Sequence, residues 1–105
     1  MSATENERIL AWVESIGGGY VWEEEICAVT LLKANIDDSQ AERLAGLVGV
    51  DQIALRVEYL SMSVLSLLAQ IAGLKSLVLA DAPITDSQRE ELAAIGPEIK
   101  VVAVL

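Results

Sequence analysis

The sequence predicts an α/β solenoid: a right-handed coil with a parallel sheet along one side and helices along the other. Three observations point there. The chain repeats itself at a period of 24, a short apolar–polar alternation recurs once per period, and a helical apolar stripe lies between successive alternations.

The repeat is clearest between its outer copies. Ile36, Asp38, Ser39, Gln40, Glu42, Leu44 and Ala45 return two periods later as Ile84, Asp86, Ser87, Gln88, Glu90, Leu92 and Ala93, seven identities in ten positions. The middle copy keeps Ser63, Leu68 and Ala69 in the same columns. Val29/Leu31, Ile53/Leu55, Leu77/Leu79 and Val101/Ala103 alternate at period two, the pattern of short strands with one buried face. Between them, Ser39 to Val48, Ser63 to Ala72 and Ser87 to Ile95 carry apolar residues three apart, namely Leu44/Leu47, Leu68/Ile71 and Leu92/Ile95. Each pair has an alanine beside it, which makes a helical stripe. Ser39 with Glu42 and Ser87 with Glu90 have the spacing of a capping box, which satisfies otherwise orphaned backbone donors. Gly49, Gly73 and Gly96-Pro97 supply the stops.

A unit this short cannot form a doubly wound sheet, and it cannot bury both of its apolar faces alone. Each unit therefore leans on its neighbours, and the first needs a cover. Residues 1–25 provide it. Glu5 to Ile16 form a helix with Ile9, Leu10, Trp12, Val13 and Ile16 on one stripe, ended by Gly17-Gly18-Gly19. Tyr20-Val21-Trp22 then form a short strand before the acidic turn Glu23-Glu24-Glu25. Trp12 and Trp22 are expected to anchor this cap on residues 26–105, which carry the coils.

Composition bounds the chemistry. The 105 residues make one domain, and 53% hydrophobic residues suffice for a core. A net charge of −9 leaves no electrostatic footprint for nucleic acid. Without histidine and with a single cysteine, a zinc site is disfavoured and the Ser-His and Cys-His nucleophile pairs are impossible. No metal or cofactor is expected. The N-terminus lacks the basic start and apolar run of a signal peptide. Val64 to Leu74, the longest apolar run, is broken by Ser66 and Gln70 and falls short of the roughly 18 residues of a membrane span. The lone Cys27 fits a reducing compartment, so a cytoplasmic protein with no membrane association is expected.

Leu74-Lys-Ser-Leu77-Val-Leu79 followed by Ile84, with weaker copies from Val50 and Ile26, resembles the leucine-rich repeat family in its ribonuclease-inhibitor-like form, as a short bacterial-type member of about four repeats. The likeness covers roughly residues 26–105. One departure stands out: Ala34, Glu58 and Ala82 occupy the position where that family carries a buried Asn or Cys, so no asparagine ladder forms there. The resemblance implies protein recognition through the strand-bearing concave face and no enzymatic chemistry.

On that face the outward strand positions form two columns: Thr30, Ala54, Val78 and Val102, beside Leu32, Arg56, Ala80 and Val104. They form either an apolar patch that a protein partner covers, with Arg56 and Lys33 supplying orientation, or a set of small aliphatics that merely suit strands. A second patch comprises Val64, Leu65 and Leu67, where flanking repeats are largely polar. Either it is exposed, or the central helix sinks deeper. The C-terminal run Val101 to Leu105 reads as an edge strand whose twofold pairing would make a homodimer; the concave face is the other route to one. Spread acidic residues suit solvated helix starts and turns. Alternatively they mark an acidic inhibitor, of the immunity type, that masks a basic partner. Lys33, Asp51, Lys75 and Asp81 are the only residues that could form a catalytic cluster, and the fold reading disfavours one.

Core membership of Leu68 has a direct check. Leu68→Ala is expected to cost about 2–5 kcal/mol in denaturant unfolding; a loss below about 0.5 kcal/mol would take Leu68 out of the core.

Overall fold

Apolar residues two apart in each strand, backed by helices whose apolar stripe faces the same way, generate a layered α/β structure. The computed structural model describes residues 2–33, 36–56, 60–80 and 84–102. Its elements are α1 (Ser2–Ser15), β1 (Gly19–Trp22), β2 (Cys27–Leu31), α2 (Asp38–Ala41) continued by a 3₁₀ turn (Glu42–Gly46), β3 (Gln52–Arg56), α3 (Met62–Ala69), β4 (Ser76–Ala80), α4 (Asp86–Ile95) and β5 (Glu98–Val102). The strands form a five-stranded sheet in chain order, antiparallel between β1 and β2 and parallel from β2 to β5. α1, the 3₁₀ turn, α3 and α4 touch in that order, side by side. Leu31, Leu44, Ile53, Leu55, Leu68, Leu77, Leu79 and Leu92 are fully buried in one cluster with Val13 of α1.

Register follows the period for two steps and departs from it at the third. Val29 pairs with Ile53 and Ile53 with Leu77, one full period apart each time. Leu77, however, pairs with Ile99, two positions short of a period. The expected strand from Val101 therefore starts at Glu98 instead, because Gly96-Pro97 turns the chain directly out of α4. The shift is even, so inward and outward faces are preserved.

Helix starts also differ from expectation by a residue or two. The caps are Asp37 and Thr85, not Ser39 and Ser87, which lie inside the first turn. Asp37 Oδ1 accepts from Gln40 N at 2.9 Å while Gln40 Oε1 accepts from Asp37 N at 3.1 Å; Thr85 and Gln88 repeat this at 3.1 and 2.9 Å. Gln40 and Gln88, not Glu42 and Glu90, complete the boxes. In the middle unit Ser61 caps Val64 N at 3.3 Å, but the third helical residue is valine and cannot return the bond. Asp38 of the preceding unit replaces it, accepting from Ser61 N at 2.8 Å. That backbone bond, with a second from the Ser61 hydroxyl, holds the Asp38 carboxyl below the usual aspartate range. Gly49 and Gly73, at φ +87° and +82°, are left-handed as expected but lie in the turns beyond the helix ends, whose caps are Leu47 and Gln70; of the expected stops only Gly96 caps a helix.

In the N-terminal region α1 packs on β1, β2 and the 3₁₀ turn. Trp12 and Trp22 pack against the core, and the Arg43 guanidinium lies 5.2 Å from the Trp12 ring centroid. Asn6, nearly fully buried, donates to Val48 O at 2.8 Å and accepts from Val48 N at 2.9 Å, fastening α1 to the end of the first unit. Tyr20 hydrogen-bonds Glu14, and this bond, with the carboxylate charge, raises the phenol above its ordinary pKa. Where α1 hands over to β1 there is no room for a side chain. A Cβ on Gly18 would lie 2.5 Å from Leu31 Cδ2 and 2.8 Å from Thr30 O.

Gly18→Ala is therefore expected to cost about 1–3 kcal/mol in thermal or denaturant unfolding, the range for overpacking. Gly19→Ala, where a Cβ meets nothing within 4 Å, is the matched control and should stay within about 0.5 kcal/mol.

Candidate interaction surface

Among the described residues the sheet has one face against the helices and one open. Strand parity places Ala28, Gln52, Ser76 and Glu98 in one open-face row and Thr30, Ala54, Val78 and Lys100 in the next. Arg56, Ala80 and Val102 make a third. Leu32 follows directly after β2 and is half-buried.

Thr30, Ala54, Arg56, Val78, Ala80 and Val102 thus lie on the open strand face as expected, with two corrections of place. Val102 sits beside Ala80, not Val78; the shortened third unit brings Lys100 into the Val78 row. Val104 lies outside the described residues. The face is also less apolar in exposure than in composition. Ala54 and Ala80, 3% and 0% exposed, present almost no surface. Ser76 is nearly buried and lies 3.2 Å from Gln52 Oε1, to which its hydroxyl donates. Thr30 projects on β2, half-buried Gln52, Arg56 and Val78 lie in the middle, and Glu98, Lys100 and Val102 project on β5. Lys100 Nζ is 3.3 Å from Glu98 Oε1; both are well exposed, so the pair is worth little and can be exchanged for a partner's charges.

The second expected patch is not a patch. Val64 and Leu65 are 4% and 1% exposed, and only Leu67 reaches solvent. α3 is flanked by the 3₁₀ turn on one side and α4 on the other, so its lateral positions are covered. In the same columns of the outer units Gln40 and Gln88 are half-buried and Arg43, Arg89 and Glu91 exposed, whereas Ala41 is buried like Leu65. Ile95 of α4 lies at the end of the row and stays 40% exposed for the converse reason.

The four residues of the conceivable catalytic cluster do not assemble. Asp51 and Lys75 meet at 3.7 Å before β3 and β4, whereas Lys33 follows β2 at the opposite end of the sheet, beside Gly17 to Gly19. Asp81 lies outside the described residues. Asp51 serves the backbone instead: its Oδ2 accepts from Cys27 N at 2.9 Å, closing the start of β2. Cys27 is half-buried, with Sγ 3.3 Å from Glu23 O. Among the described residues no group of three or more carboxylate or cysteine side chains could hold a metal ion. Nor is any described helix long and apolar enough to cross a membrane.

The β5 edge carries protection the sequence did not disclose. Glu98 N donates to Lys75 O at 2.8 Å, so Glu98 faces β4 and the Ile99 backbone faces outward. Arg89 of α4 reaches round to that free carbonyl, with Nε 3.3 Å and Nη2 3.1 Å from Ile99 O. With the Glu98 and Lys100 charges on the same strand, β5 bears two standard devices that blunt an edge. The available signals were the Gly96-Pro97 pair, which shortens the unit, and Arg89 in a column where the other units carry Ala41 and Leu65.

No family model, curated protein or solved structure matches the chain. The class of protein is accordingly defined by its own architecture: an α/β fold with a mostly parallel, five-stranded sheet and helices packed in a row.

Arg89→Met should loosen β5 without touching β3. The Lys100 amide, which faces β4, is expected to exchange with solvent several-fold faster, reflecting a loss of about 1 kcal/mol. Unchanged exchange there would show that the Arg89 contact adds nothing to the edge.

Proposed function

We propose that the chain is a short right-handed solenoid of the leucine-rich repeat type, acting as a non-enzymatic protein-interaction module through its open sheet face. One observation carries the reading. Four parallel strands, paired at even offsets, leave one face of the sheet without helices among the described residues. On that face Ala54, Ser76 and Ala80 are buried while Thr30, Val78 and Val102 reach solvent. A partner would meet Thr30, Val78 and Val102, with the exposed Lys100/Glu98 pair at one rim available for orientation. The separation of Lys33 from the Asp51/Lys75 pair supports a binding role over a catalytic one. A cytoplasmic location accompanies this proposal.

The test uses a photo-crosslinking amino acid at Thr30, on the open face, in the source cells. A discrete protein adduct is expected, and it should disappear when Val78→Asp and Val102→Asp are combined in a variant with unchanged circular dichroism. An adduct that survives the double change overturns the open-face reading. If that surviving adduct instead fades as salt rises from about 0.05 to about 0.5 M, the acidic surface is the binding element and the inhibitor reading takes its place.

A further inference from the structure

The two edges of the sheet are not treated alike. β5 is charged and partly covered by Arg89, whereas β1 at the other end, Gly19-Tyr20-Val21-Trp22, has no charged residue and no proline. Tyr20 and Val21 are 41% and 46% exposed, and Ile26 just beyond the turn is 45% exposed. We propose that β1 is a self-pairing edge: two copies of this chain join antiparallel along it, about a twofold axis through Val21.

Backbone geometry selects the register. Glu23 N donates to Ile26 O at 2.9 Å, and β1 pairs with β2 as Gly19 with Thr30 through Trp22 with Cys27. Glu23, Val21 and Gly19 therefore direct their backbone groups toward β2, and Tyr20 and Trp22 direct theirs outward. Among the described residues nothing pairs with that outer side. An antiparallel partner must present its own outward residues opposite these. With the axis at Val21, Tyr20 faces Trp22 of the second copy and Trp22 faces its Tyr20, so both pairs exchange N–H···O bonds. Val21 meets its counterpart in the closely spaced, non-bonded position on the open face.

Charge and shape favour a second copy over an unrelated strand. The same register carries the acidic turn Glu23-Glu24-Glu25 of each molecule toward Gly17-Gly18-Gly19 of the other, a stretch without side chains. Lys33, exposed and without an ion pair among the described residues, lines the hollow beside those glycines. Each copy thus brings three carboxylates toward the other's lysine, and the two acidic turns stay at opposite ends. Such an interface is isologous, so it closes as a dimer with a continuous sheet and does not propagate.

Sedimentation of the full chain from about 1 μM to about 1 mM should follow a monomer–dimer equilibrium. Amide exchange supplies the specific signature: Tyr20 and Trp22 should gain protection as concentration rises, while Val21, already bonded to β2, should not. Val21→Glu sets two carboxylates face to face and should raise the dimer dissociation constant by about tenfold or more at an unchanged unfolding midpoint. Lys33→Glu, a surface change that leaves the strand intact, should weaken dimerisation several-fold and serves if Val21→Glu does not fold. Val102→Asp, at the far edge, should leave it untouched. A chain that stays monomeric throughout, a dimer whose Tyr20 and Trp22 amides exchange as fast as in the monomer, or one disrupted by Val102→Asp would each overturn the proposal. None of these outcomes depends on the open face having an external partner.

Discussion

Parallel pairing at an even offset keeps this molecule in order. Val29, Ile53, Leu77 and Ile99 form one inward row, and Leu31, Leu55, Leu79 and Val101 the next. Each inward side chain is covered by the same position in the following strand. A unit can lose two positions, as the third does, without loss of this order. A unit of odd offset would turn every inward side chain of the next strand to the open face. The helices obey the same rule more loosely, with Leu44, Leu68 and Leu92 all fully buried beneath three helical segments of unequal length.

Neighbouring units are held by more than apolar contact. Asp38 completes the cap of the following helix by accepting from Ser61 N, Asp51 closes the start of the preceding strand at Cys27, and Ser76 bonds Gln52 across adjacent strands. These bonds link successive units, and because each satisfies a backbone or half-buried polar group they favour one stacking over slipped alternatives. The two ends of the row are finished differently. At the first, a helix is fastened by both amide atoms of Asn6 to Val48, yet the edge strand beside it stays apolar and bare. At the last, Arg89 and two charges shield the edge, while Ile95 and Val101 lie partly exposed. This asymmetry makes the first edge the more receptive to another strand.

Much of this was legible in the residues. The alternation at Val29/Leu31, Ile53/Leu55 and Leu77/Leu79 marks three strands and their inward faces, because a strand's period of two is local and needs no partner to be recognised. Gly49 and Gly73 mark the left-handed turns that follow the helices for an equally local reason. The helix starts are ambiguous at that level: Asp37, Asp38 and Ser39 can all cap, and the choice falls to Asp37 because Gln40 lies at the reach that closes the box. The alternation alone puts the last strand two positions late, because an even shift leaves the pattern looking the same.

Residue order was enough to establish the repeat, the side of each strand that is buried, and the exclusion of histidine-based chemistry, since these depend on the kind of residues along the chain and their spacing. The packed fold was needed to make Val64 and Leu65 core, to stand Lys100 beside Val78, to bring Arg89 to one edge, and to hold α1 through Asn6. Each of these depends on which unit has a neighbour and on which side, and residues of the same column meet different surroundings in the middle of a row and at its ends.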